Sequence, residues 1–228
     1  MKNLLKIVLF TIVCLVACNS EPRPLTHSET LFANFYIRYL QPEKQVKAEA
    51  NFLKGDSLKT AKPLLIDGGV AFLSSGMSNR TLPNGAIRYT YENFLDYPSE
   101  FTFKFKNPSG DAQKQIVKLD PLSPISAKGS ISQSKGGILI LEKDTLSNGE
   151  SLVVLISDAE GHTVSFVVES ESGSSEFEIP AKKLAKLSSG KINLYVVRKR
   201  VEEVNEPGYS FTSTIEYYSD NHEFELVD

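Results

Sequence analysis

From Leu31 onward, apolar and polar residues alternate one by one in segment after segment of the chain. Val46, Ala48, Ala50 and Phe52 share one side of an extended backbone, and Lys47, Glu49 and Asn51 take the other. That period of two marks a half-buried strand. Leu31 to Tyr39, Val70 to Leu73, Ile87 to Tyr91, Phe101 to Phe105 and Ile116 to Leu119 read as further strands. In the fourth of these, Phe101, Phe103 and Phe105 face one way while Thr102 and Lys104 face the other. Turn clusters separate them at Asp67-Gly68-Gly69, Pro83-Asn84-Gly85 and Asn107-Pro108-Ser109-Gly110. Asp120-Pro121-Leu122-Ser123-Pro124 interrupts the pattern, since its paired prolines hold the chain extended and break pairing. A second run follows: Ser126 to Ile131, Gly137 to Leu141, Leu152 to Ser157, Thr163 to Val168, Glu176 to Ile179, Ile192 to Val201, Tyr209 to Tyr217 and Glu223 to Val227. A helical stripe occurs at Ala181 to Leu187, where Ala181, Leu184, Ala185 and Leu187 recur at helical spacing.

The pattern predicts an all-β fold of two consecutive immunoglobulin-like antiparallel β-sandwiches, an N-terminal one over 29–121 and a C-terminal one over 122–228. The second resembles the immunoglobulin-like sandwich, which packs about seven strands into about a hundred residues. The short helix before the strand Ile192-Asn193-Leu194-Tyr195 looks like the crossover that joins the two sheets late in such folds. Near the C-terminus, Ile192 to Val204 and Tyr209 to Tyr218 predict a long hairpin around Asn205-Glu206-Pro207-Gly208. Tyr209, Phe211, Ile215 and Tyr217 line one face of its second strand. Such a stripe either completes its own domain's core or projects beyond Arg198 to bind a partner.

The first twenty residues follow a different rule. Lys2 and Lys6 precede an uncharged apolar run from Ile7 to Val16, which ends in Leu15-Val16-Ala17-Cys18. A basic start, a short apolar middle and a small residue before the cut are the marks of a secretory signal; the run falls short of the roughly 20 apolar residues a membrane-spanning helix needs. Leu15-Val16-Ala17-Cys18 resembles the lipobox of bacterial lipoproteins. The resemblance implies cleavage after residue 17, acyl chains on Cys18, and a polar tether over 18–28 that includes Pro22 and Pro24. Several acyl chains together make a durable anchor where one does not. With Lys2 and Lys6 removed, 23 basic residues stand against 28 acidic ones, a net charge of about −5. That balance excludes the basic footprint that nucleic acid requires. Cys14 leaves with the signal, so Cys18 is the only cysteine remaining and its sulfur is acylated; no disulfide, thiolate nucleophile or cysteine metal site is expected.

Candidate chemistry is sparse. His27 falls in the tether, His162 in the turn Asp158-Ala159-Glu160-Gly161-His162, and His222 after Ser219-Asp220-Asn221. The sequence carries no HExxH, GxSxG, P-loop or dinucleotide fingerprint, so no catalytic, cofactor or metal residues are expected. Asp158, Glu160 and His162 could converge on a metal only if they shared a strand face, and a turn makes them diverge. With no tryptophan, a sugar platform is restricted to Tyr89, Tyr91 and Tyr97, and the first two share a strand face with Ile87, which predicts core residues instead. A lipobox ahead of tandem sandwiches is similar to lipoproteins of the Bacteroidota. That resemblance implies O-glycosylation at Asp56-Ser57-Leu58 and Asp144-Thr145-Leu146, on Ser57 and Thr145. Asn19 after the cysteine implies the outer membrane, and the absence of an acid-rich export motif there implies a periplasm-facing position. The functional expectation is a non-enzymatic protein-binding or scaffolding lipoprotein with another envelope protein as partner. A glycan-binding or adhesion module is the alternative, and a hydrolase stands third.

Overall fold

The computed structural model describes residues 29–169 and 173–228. Cys18, with the signal and tether expected around it, lies outside the described residues. The rest is nearly all β, as the alternation predicts. The first half contributes β1 (Thr30–Leu40), β2 (Gln45–Gly55), β3 (Lys62–Pro63), β4 (Ala71–Phe72), β5 (Ser75–Gly76), β6 (Ser78–Thr81), β7 (Ile87–Phe94), β8 (Phe101–Lys106) and β9 (Ala112–Val117). The second half contributes β10 (Ile125–Ala127), β11 (Ile131–Ser132), β12 (Gly137–Leu141), β13 (Glu150–Asp158), β14 (Thr163–Glu169), β15 (Glu176–Ile179), α1 (Ala181–Leu184), β16 (Gly190–Glu206), β17 (Tyr209–Tyr218) and β18 (His222–Val227).

In the first lobe, β1, β2, β7 and β6 lie side by side and face a smaller sheet in the order β5-β4-β8-β9. Between the two sheets Phe35 meets Phe103 at 4.7 Å, Phe52 meets Phe105 at 4.9 Å and Phe72 meets Tyr91 at 5.1 Å, measured between ring centroids. In the second lobe, β10-β12-β15 face a layer in which β13 and β14 flank one edge of β16 while β18 and β11 continue from the other. The stretch Ser126 to Ile131 is two strands. A turn at 128–130 carries the chain from β10, paired with β12, to β11, paired in parallel with β18. The strand expected at Ile116 to Leu119 begins earlier, at Ala112, because the ladder with β8 extends to Lys106 opposite Ala112. After β15 the chain crosses between the sheets through α1, whose Leu184 and the following Leu187 are buried in the second core. The helix is one turn long and Leu187 closes a turn on the Leu184 carbonyl at 2.9 Å, so the stripe to Leu187 is helix followed by turn.

The most consequential feature is β16, a 17-residue strand. Its first part pairs with β18 over Gly190 to Leu194, and its later part pairs on the same edge with β17 over Val197 to Glu206. Ser219 closes the gap between those partners: its N–H donates to the Val196 carbonyl at 2.9 Å, and its hydroxyl accepts from the Val196 N–H at 3.1 Å. The expected hairpin therefore exists, with its turn at Pro207 and Gly208, but its outer half leaves the second lobe. There β17 pairs in parallel with β1 over ten residues. Ile215 and Tyr217 are buried in the first lobe's core, and Tyr209 and Phe211 pack against it. Tyr217 stacks on Tyr39 at 5.8 Å and meets Tyr97 edge-on at 5.1 Å.

A boundary at 121–122 consequently does not separate the two cores. The first lobe draws on 29–121 together with the outer half of the hairpin, and Leu122 packs against both cores. The aromatic stripe on β17 neither completes its own lobe nor projects. It fills the neighbouring core, and one eleven-stranded sheet runs through both lobes.

Candidate binding surface

Splicing the lobes through β17 aligns residues from seven strands across the outward face of the large sheet. At the level of the lobe junction, adjacent strands register Val167, Val153, Val197, Tyr218, Leu40, Gln45 and Phe94 in that order. Strand parity turns all seven away from the cores, since Leu152 and Val154, Val196, Tyr217, Tyr39 and Val46 occupy the inward positions. Six of the seven are apolar or aromatic. At the usual spacing of about 4.8 Å between strands, this belt extends on the order of 30 Å. Its ends stand in solvent, with Val167 58% and Phe94 66% exposed. Val153, Tyr218, Leu40 and Gln45 are half-buried, and Val197 near its centre is only 5% exposed. Tyr195 and Leu155 adjoin it on one side in register with each other.

The next row toward the first lobe is charged: Glu169, Ser151, Lys199, Glu216, Arg38, Lys47 and Glu92. Within it Lys199 approaches Glu216 at 3.6 Å and Lys47 approaches Glu92 at 3.2 Å. Arg38 lies over the Tyr218 ring at 4.7 Å, a cation–π contact. Its Nε is buried and has no hydrogen-bond partner among the described residues. Tyr36 and Tyr218 both donate to Glu216 Oε2, at 2.7 and 3.0 Å. Burial and then the Glu216 charge raise the pKa of both hydroxyls above the ordinary tyrosine value. Burial pushes Tyr195, 5.8 Å from Tyr218 between ring centroids, up to about 12. These groups stay protonated at any physiological pH, and Tyr36 and Tyr218 serve as donors. Half-buried aromatics, an arginine and satisfied polar neighbours are the composition that protein interfaces concentrate.

Tyr89 and Tyr91 lie on the core side, as their alternation with Ile87 predicts. Tyr89 is buried, and its hydroxyl accepts from the Ile66 N–H at 2.8 Å. Tyr91 and Tyr97 pack against the first core, and Tyr97 donates to the Leu119 carbonyl at 2.7 Å. The three do not form an exposed platform. The aromatic cluster that does reach the surface combines Tyr36 with Tyr195 and Tyr218, which follow it by 159 and 182 residues in sequence. The alternation within β1 and β17 puts Tyr36 and Tyr218 on the polar side of each strand. Only the parallel pairing of those strands brings the two together.

Two other polar constellations are structural in character. Arg198 is 1% exposed at the junction of the cores. Its Nε and Nη2 donate to Glu150 Oε2 at 3.0 and 2.6 Å, its Nη2 to the Thr145 carbonyl at 3.1 Å, and its Nη1 to Asp144. It shares its face with Ile192, Leu194 and Val196, a signal available in the sequence by simple alternation. Asp158 is buried at the far end of β13 and accepts four hydrogen bonds. These come from the Glu160 and His162 N–H groups, the His162 ring at 2.8 Å, and the Ser188 N–H at 2.8 Å. Chiefly the Ser188 donor, with the His162 ring and N–H, holds its pKa well below the usual carboxylate range. The hydrogen bond from Asp158 in turn raises His162. Glu160 comes no nearer the His162 ring than 3.7 Å. The trio thus ties the turn to the segment after α1. Ser57 is exposed in a turn, its hydroxyl 2.9 Å from that of Thr60; Thr145 is exposed between Asp144, held by Arg198, and the buried Leu146.

Among the described residues no helix is long and apolar enough to cross a membrane. No family model matches the chain, and no curated protein matches it. Among solved structures it is similar to a tetra-tandem repeat in the extending region of a large adhesion protein, with 10% identity and a TM-score of 0.28. The likeness covers 84% of this chain and 49% of that one, so the chain spans about half the length of that structure.

Proposed function

We propose that this chain is a lipid-anchored, non-enzymatic binding or scaffolding module of the bacterial cell envelope. Acyl chains on Cys18 hold it at the outer membrane, facing the periplasm, and the outward face of its large sheet engages another protein. The sequence around Cys18 supports the anchor. Strand order supports a pair of immunoglobulin-like sandwiches. The first lobe sets four strands in the order β1-β2-β7-β6 against β5-β4-β8-β9, and the second sets β10-β12-β15 against β14-β13-β16-β18. Both orders follow the immunoglobulin plan of a sheet built from the first, second and fifth strands facing one built from the third, sixth and seventh.

The observation that carries the binding reading is the apolar belt from Val167 to Phe94, set on a sheet that both lobes stiffen. Its exposed ends, Val167 and Phe94, are apolar surface beside a charged row that a partner would remove from water. The test replaces its exposed ends, Val167→Glu and Phe94→Glu, in the full-length chain. In envelopes treated with a cross-linker, the native chain is expected to carry a specific protein, and the doubly substituted chain to lose it by about tenfold or more with its melting temperature unchanged. Equal recovery by both chains overturns the proposal.

A further inference from the structure

The charged row beside the belt has a sign pattern that identifies its partner. Resting on the reading of this face as a protein-binding surface, we propose that the partner is a second copy of the same chain, packed face to face about a two-fold axis that runs parallel to the strands between β16 and β17. Across the sheet the row reads Glu169, Ser151, Lys199, Glu216, Arg38, Lys47, Glu92. Rotation about that axis sets each residue opposite the one equally far on the other side. Lys199 then faces Glu216 of the second copy, and Glu216 faces Lys199. Glu169 faces Lys47, and Ser151 faces Arg38. Every charge in those three pairings meets an opposite charge or a hydroxyl. Shifting the axis by one strand, to lie between β17 and β1, sets Lys199 against Lys47 and loses the match.

The belt obeys the same operation. Val197 faces Tyr218 of the second copy, Val153 faces Leu40, and Val167 faces Gln45, with Phe94 left at the rim. Such an interface is isologous, so one self-complementary patch suffices for closure. Facing sheets pack with their strands within about 30° of each other, which an axis parallel to the strands permits. The axis also keeps the Thr30 ends of both copies at the same end of the pair. Two chains anchored through Cys18 in one membrane need that arrangement, and the perpendicular axis would reverse one of them.

A charge exchange between two differently tagged full-length chains tests this. Chains carrying Lys199→Glu put two negative charges at the axis, and chains carrying Glu216→Lys put two positive ones there. Native chains with different tags are expected to co-purify from detergent extracts. Each single variant is expected to lose self-association by about tenfold or more. Co-expression of the two variants is expected to restore the pair. Both variants also lose the internal Lys199–Glu216 contact, and co-expression leaves that loss in place, so recovery reports the contact between chains alone. The proposal is overturned if native copies fail to co-purify, if the single variants self-associate normally, or if the mixed pair stays apart. Should native copies fail to co-purify while Phe94→Glu and Val167→Glu still abolish capture of a different protein, this inference falls and the binding reading of the face stands. If neither changes, both fall.

Discussion

Arg198 sits where the two cores meet, and its replacement by methionine is expected to be among the most damaging single changes in the chain. Its guanidinium reaches Glu150 through two donors and the Thr145 carbonyl through a third, while a fourth meets Asp144. Methionine keeps most of the volume, so the cost is electrostatic more than a cavity. Glu150 has a side chain 2% exposed and would retain only the Ser147 N–H at 3.0 Å. Removing one partner of a buried ion pair costs about 3–5 kcal/mol, against total stabilities of about 5–15 kcal/mol for ordinary domains. With a urea slope of about 2 kcal/mol per molar, the midpoint should fall by about 1.5–2.5 M. The double variant Arg198→Met/Glu150→Leu removes both charges. It is expected to recover to within about 1 kcal/mol of the native chain, because a buried pair exchanged for apolar groups is often neutral. Urea melts of the three chains measure all of this. A loss below about 1 kcal/mol for the single variant, or a double variant as unstable as the single, would show that Arg198 does not hold a buried charge pair.

Three more expectations follow from particular residues. Ile215→Ala, although late in the chain, should destabilise the first lobe by about 2–5 kcal/mol, with faster amide exchange in β1 and β2; exchange altered only in β13 and β14 would contradict the splice. His162 is raised by its bond to Asp158, so the stability it adds is fully present below its ordinary value near 6.5 and is lost as pH rises through its folded-state value. The melting-temperature gap between the native chain and His162→Gln should accordingly be wider at pH 5.5 than at pH 8.5, and an equal gap at both would dismiss the contact. Cys18→Ser should move the chain from the membrane fraction to the soluble one on fractionation, and unchanged membrane recovery would remove the lipid anchor.

Much of the fold is written locally. Alternation in Val46 to Phe52 and Phe101 to Phe105 marks β2 and β8, and the boundaries of β15 and β17 fall where the pattern ends. Short strands such as β6 were not legible, because Ser78, Asn79, Arg80 and Thr81 are all exposed and no face is apolar. The hairpin of β16 and β17 was legible, but its destination was not. Alternation in Tyr209, Phe211, Ile215 and Tyr217 states that one side must be buried, and it carries no information about which core receives it. For the same reason the site escaped. Val167, Val197, Leu40 and Phe94 look like isolated apolar residues on the polar sides of four strands, and only the register across the lobe junction makes them one belt.

The measurement that bears most directly on the binding face is photo-crosslinking in intact cells, with a benzophenone side chain placed at Val167, at Phe94, or at Leu65 as a control. Leu65 is equally apolar and 59% exposed, but it lies away from the belt. Discrete protein adducts at Val167 and Phe94, with none at Leu65, are the expected result. Adducts of the same yield at all three positions, or at Leu65 alone, would contradict it.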